Sequence, residues 1–210
     1  RGGANGLVVI TSSEKNRFIR ITARNNESLG IYVIGSSHNN EFSQCVVAQN
    51  TNYAVRVHSS TNVSWQNCVF WNPSGLFVDS GADTTVSNSV LRASGGPVFY
   101  PNNTGKVTGD YNVIYLEGGA AAFNNDGTVF PDLASVQQGL NQQWHSSVFD
   151  PQLANPTNFD FHALSQTGRY VTGVGWTNDA VTSGTIDMGF PLAAYANEPT
   201  PNGNRLNVGL

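Results

Sequence analysis

GLVVI (6–10), GIYVI (30–34), AVRVH (54–58), GLFVD (75–79), PVFYP (97–101) and AAAFN (120–124) recur along the chain, each opening on a small or turn-forming residue. Their starts lie 24, 24, 21, 22 and 23 residues apart. A second β-like segment follows in most units: FIRIT (18–22), FSQCVV (42–47), SWQNCVF (64–70), VSNSVL (86–91) and VTGDYNVIY (107–115). These segments alternate with period two and are too short for the i, i+3, i+4, i+7 spacing of a helix. A repeat of this length is one turn of a solenoid. No unit can bury its own apolar face, but coils stacked at about 4.8 Å pair every strand with its equivalents and build one core. The fold expected is all-β: a single-stranded right-handed parallel β-helix, about six coils over residues 1–130, with an irregular capping segment over 131–210.

Alternation then sorts the side chains. Leu7, Ile31, Val55, Leu76, Val98 and Ala121 form one inward column; Val9, Val33, Val57, Val78, Tyr100 and Phe123 form the next. Ile21, Cys45, Cys68 and Val90 form a third on another wall, and Asn25, Asn50 and Asn72 stack as an amide ladder at a turn. Cys45 above Cys68 reads as two free thiols acting as small core hydrophobes. Stacking also brings their Cα atoms within disulfide range, although parallel Cβ vectors do not favour the bond. Leu7 and Val9 already sit in the core register with no cap helix before them. Preceding coils or another subunit are therefore expected over the N-terminal end, and head-to-tail stacking of copies would make a filament.

Composition narrows the function. Charged residues make up 11% of the 210, against about 25% in ordinary soluble domains, while Asn, Ser, Thr and Gly fill the difference. Net charge is -4 with no basic run, which argues against nucleic acid or an anionic membrane as partner. No apolar run is long enough to span a bilayer.

After residue 126 the repeat fades. ASVQQGLNQQW (134–144) reads as a short helix with Val136, Leu140 and Trp144 on one face. FDPQL (149–153), FDFHALSQTGRY (159–170), DAVTSGTIDMGFP (179–191) and YANEPTPNGNRLNVGL (195–210) follow. Together they resemble the C-terminal signature of bacterial secreted right-handed β-helix repeat proteins of the pectin-lyase-like superfamily. One departure is Phe190, where that group has an acidic residue after the glycine. The resemblance implies a secreted or cell-surface setting and an acidic polysaccharide as partner. It also implies that Asp187, Glu198, Asn202, Gly203, Arg205 and Asn207 close turns over the last coils, with Arg205 pinning the cap to a carboxylate. A small calcium site among Asp187, Glu198 and nearby carbonyls is the alternative use of the same oxygens; no other cofactor is expected.

Chemistry is sought on the outward positions of the first wall, which read Val8, Tyr32, Arg56, Phe77, Phe99 and Ala122, then Ile10, Ile34, His58, Asp79, Pro101 and Asn124. A β-eliminating lyase needs a cation for the uronate carboxylate, a base for the C5 proton and an acid for the leaving oxygen. Arg56, His58 and Tyr32 have suitable groups, Asp79 is placed to orient His58, and Phe77 and Phe99 suit stacking on sugar rings. Asp79, Asp83, Asp110 and Asp126 do not form the spaced carboxylate pair of a glycoside hydrolase. Two functions remain: a module that binds, and by elimination cleaves, acidic polysaccharide, and a non-catalytic structural or adhesive surface module.

Overall fold

The computed structural model describes residues 4–195, 198 and 203–210. The first coil carries β1 (Asn5–Val9), β2 (Arg17–Ile19) and β3 (Thr22–Arg24); the second β4 (Leu29–Ile34), β5 (Glu41–Ser43) and β6 (Val46–Ala48). The third has β7 (Tyr53–His58), β8 (Val63–Gln66) and β9 (Val69–Trp71); the fourth β10 (Ser74–Asp79), β11 (Asp83–Ser87) and β12 (Val90–Ala93). The fifth has β13 (Phe99–Pro101), β14 (Lys106–Asp110) and β15 (Val113–Leu116). Equivalent strands pair in parallel to give three walls: sheet A from β1-β4-β7-β10-β13, sheet B from β2-β5-β8-β11-β14, sheet C from β3-β6-β9-β12-β15. This is the expected parallel β-helix.

A sixth coil is partial. β16 (Phe123–Asn125) continues sheet A, and β17 (Thr128–Phe130) turns back antiparallel on it. Helix α1 (Leu133–Leu140) follows, and β18 (Ser147–Val148) adds the last strand to sheet C. The helix starts on a capping box, Asp132 accepting from the Ser135 amide, and stops at Asn141 in the left-handed region. It is shorter than the sequence suggests. Trp144 therefore falls outside it, half exposed, with its indole N–H on Asn141. Val136 is buried, and Phe130, Leu133 and Leu140 pack on the end of the core.

The inward columns run as alternation requires over the first four coils: Leu7, Ile31, Val55, Leu76 and Val9, Val33, Val57, Val78. On sheet B, Phe18, Phe42 and Trp65 stack with ring centroids 4.6 and 4.0 Å apart. Three inward columns differ from the sequence reading. Leu76 pairs with Phe99, not Val98, and Phe99 with Phe123, not Ala121. Pro101, not Tyr100, follows Val78. PVFYP has apolar residues at both parities, so alternation alone could not choose. The large Phe99 ring takes the core site, while Val98 backs onto Gly75, where a Cβ would run into its carbonyl. On sheet C, Val90 aligns with Val69 rather than Cys68, which instead receives Ser89 as its neighbour. The amide ladder begins at Asn26 rather than Asn25. Asn26 Nδ2 donates to Asn50 Oδ1 at 2.7 Å, and Asn50 Nδ2 to Asn72 Oδ1 at 3.3 Å. Asn25 instead makes the bend before the ladder, at φ 55°.

The corner between sheets B and C is built from a column of left-handed residues, Arg20, Gln44, Asn67, Asn88 and Tyr111. Asparagine tolerates this conformation best after glycine, which accounts for part of the Asn-rich composition. Cys45 and Cys68 are buried free thiols. Burial pushes the Cys68 thiol well up, as expected of a core residue away from water.

The segment after β18 does not stay at the end of the stack. β19 (Leu153–Asn155) and β20 (Asp160–Ala163) form a short antiparallel pair, and β21 (Arg169–Val171) with β22 (Gly175–Thr177) a second. The chain runs back along sheet C as far as the first coils: Arg24 lies 4.0 Å over the Phe159 ring, and Gln49 donates to the Pro156 carbonyl. Phe161 and Val208 are buried against Val46, Val69, Val90 and Val113, with Phe149, Leu153 and Met188 beside them. A second apolar core thus covers the outer face of sheet C, and the outer face of sheet A lies outside it.

Candidate functional site

Two consecutive outward residues of β7, Arg56 and His58, meet one from β10. Asp79 pairs with His58 across the sheet, and Phe77 with Arg56. Asp79 is 7% exposed and accepts on both oxygens. Arg56 Nη2 lies 2.7 Å from Oδ2, and His58 Nδ1 lies 3.0 Å from Oδ1. The Asp79 bond holds the Arg56 guanidinium above its ordinary value, against the opposing effect of burial. In the neutral tautomer that donates Nδ1–H to this carboxylate, the lone pair lies on the second ring nitrogen of His58.

Aromatic rings complete the surface. The Arg56 guanidinium sits 5.4 Å from the Tyr32 ring centre and 5.0 Å from that of Phe77, the range of cation–π attraction. Phe77 in turn lies 5.0 Å from both Tyr53 and Tyr100. Burial raises the Tyr53 hydroxyl above its usual range, with Tyr100 adding to the effect and Arg56 opposing it. Tyr32, Arg56, Phe77 and Tyr100 therefore form a strip along the solenoid axis, one residue per coil.

Tyr32, Arg56, His58, Asp79 and Phe77 come together as the sequence suggests. Phe99 does not. It is fully buried against Phe123, because the register at β13 turns it inward. Tyr100 takes its place. Tyr53 was also missed; its signal was an aromatic residue just before AVRVH, three positions before Arg56. Arg56 Nε is buried and has no hydrogen-bond partner among the described residues.

Two other Asp–His pairs lie elsewhere. His145 Nδ1 is 2.6 Å from Asp110, stacked on Tyr111, and His162 Nδ1 is 2.7 Å from Asp160. Burial works to raise Asp160, but hydrogen bonds from His162 and the charge of Arg169 hold it below its ordinary value.

In the C-terminal segment, Asp187 accepts from the Gly203 amide at 3.2 Å and Glu198 from the Asn207 amide at 2.7 Å. Burial raises Glu198, the Asn207 amide opposes that, and Asp187 adds to it. Among the described residues, no group of three or more His, Cys, Asp or Glu side chains is placed to hold a metal. Among the described residues, no ion pair joins Arg205 to a carboxylate. Its Nε and Nη2 donate to the carbonyls of Gly189 and Met188, at 2.6 and 3.2 Å. Asn202 lies outside the described residues.

Residues 1–91 match the family model of a right-handed β-helix region. With the three parallel walls continuing past that match, the chain is a right-handed parallel β-helix. No curated protein and no solved structure matches it. No helix of the described residues is long and apolar enough to cross a membrane.

Proposed function

We propose that the chain is a secreted or cell-surface carbohydrate-associated module that binds an acidic polysaccharide along the outer face of sheet A. The observation that carries this reading is the strip of Tyr32, Arg56, Phe77 and Tyr100, with Tyr53 beside it. Aromatic faces suit the apolar faces of sugar rings, and the guanidinium among them suits a uronate carboxylate. Asp79 takes one of the five Arg56 N–H groups. Its own charge weakens the net attraction, so the rings carry most of the affinity and Arg56 selects for the acid. The resemblance of the segments between residues 149 and 210 to the closing signature of pectin-lyase-like proteins supports the same ligand class.

The His58–Asp79 pair favours a second reading, in which the bound chain is also cleaved. His58 Nε2 takes the C5 proton, the C4–O bond breaks as the C4–C5 double bond forms, and the leaving oxygen takes a proton from Tyr32 or water. Electrophoresis through gels containing uronate or neutral polysaccharide tests binding. Retardation only in uronate gels, lost in Phe77→Ala and Tyr100→Ala, is expected; unretarded wild type overturns the proposal. Absorbance near 235 nm tests cleavage: a rise in wild type and none in His58→Ala is expected of a lyase, and a flat trace leaves a binding module.

A further inference from the structure

A cleft lies between the last full coil, the partial sixth coil and α1. Pro101 at the end of β13, Lys106 at the start of β14, and Phe123 and Asn125 of β16 line it from the coils; Leu140 and Gln142 line it from the end of α1 and the turn after it. Its volume is about 200 Å³, below the roughly 300–1,000 Å³ of sites for drug-sized ligands. Local structure fixes Gln142 here. Asn141 and Gln143, on either side of it, are both left-handed, at φ 52° and 61°. Gln143 is fully buried, and its Oε1 accepts from Asn112 Nδ2 at 3.1 Å and from the Ser146 hydroxyl at 2.6 Å. Gln142 is thus held between a helix end and a pinned residue. Its Oε1 is withdrawn from water and has no hydrogen-bond partner among the described residues, and buried acceptors rarely stay unpaired. Lys106 is exposed and makes no ion pair among the described residues. Asp83, its neighbour across the sheet, accepts from the Asn62 amide instead. Pro101 and Phe123 are buried and Leu140 half-buried, so the cleft also has an apolar wall.

We propose that this cleft binds a single sugar acid: a small carboxylate that carries hydroxyl groups, such as one hexuronate. The Lys106 ammonium takes the carboxylate as a point charge. A ligand hydroxyl donates to Gln142 Oε1 and so satisfies the stranded acceptor. The Asn125 amide, which both donates and accepts, serves a second hydroxyl. The apolar wall takes the C–H face of the ring, the usual division of labour in a small-molecule site. Cation, amides and wall together select the occupant. A neutral sugar leaves the ammonium unanswered, and a bare inorganic anion leaves the wall unused. The volume suits one ring and not a chain. The cleft shares no residue with the sheet A strip, so the inference does not rest on the polysaccharide reading.

The test is nuclear magnetic resonance of the whole ¹⁵N-labelled chain, following the side-chain amides of Gln142 and Asn125 during titration with galacturonate. Saturable shifts of both are expected. Galactose, which lacks the carboxylate, and inorganic phosphate, which lacks the ring, are each expected to bind at least about tenfold more weakly. Lys106→Met, at an exposed position, is expected to weaken galacturonate by about tenfold or more, and Gln142→Leu to weaken it while keeping the fold. Four results would each overturn the inference: no saturable shift at Gln142, equal affinity for galacturonate in Lys106→Met, phosphate or galactose bound as tightly as galacturonate, or shifts confined to the Tyr32, Arg56 and Phe77 rows of sheet A. The last would leave the sheet A reading standing and the cleft filled by water alone.

Discussion

Asp79 holds two partners at once, Arg56 on Oδ2 and His58 on Oδ1, and is almost wholly withdrawn from water. Replacing it by an amide of equal size leaves the partly buried charge of Arg56 without this counter-ion. Asp79→Asn is expected to lower unfolding free energy by about 1–3 kcal/mol in urea denaturation. The low end applies if water reaches the guanidinium, since the Arg56 side chain is about one-third exposed. An unchanged midpoint would mean the pair is not formed. The Arg56–His58–Asp79 cluster was legible in the sequence because all three fall on outward positions of neighbouring coils. Tyr100 was not, because its segment offered two apolar parities and only packing volume decided between them.

The amide ladder is a property of an element rather than of one side chain. Asn50 accepts both the backbone and the side-chain N–H of Asn26 and donates to Asn72 and to the Ala23 carbonyl. Asn50→Ala strands several of these groups out of water and is expected to cost about 2–3 kcal/mol. Asn25 lies outside the ladder and is exposed, so Asn25→Ala should change stability only through its left-handed backbone, by about 1 kcal/mol. Equal losses for the two variants would contradict the register. The sequence shows adjacent asparagines at 25 and 26 and cannot tell which is the bend and which the rung. That choice depends on where the strand before them ends.

At the scale of the molecule, the repeat spacing made the solenoid legible, and its coil lengths made the parallel pairing unavoidable. The cover over sheet C was not legible. Trp71, Arg92 and Tyr115 point outward there just as Arg56 and Phe77 do on sheet A, and nothing local distinguishes a face that a distant segment will bury from one that it leaves free. Phe161 is the main anchor of that segment, with its ring 5.9 Å from Trp71. Phe161→Ala is expected to cost about 3–5 kcal/mol and to shift Trp71 fluorescence to longer wavelength as water enters. A silent variant would mean that the segment does not rest on sheet C.

On sheet A, aromatic and cationic side chains line up outside the second core, and binding there is the claim on which the functional account rests. Titration calorimetry of wild type and Phe77→Ala with uronate oligosaccharides tests it most directly. The account predicts saturable binding to wild type that weakens with added salt, and a loss of about tenfold or more in Phe77→Ala, equivalent to about 1.4 kcal/mol. No heat with wild type, or equal affinity in the two proteins, would contradict it.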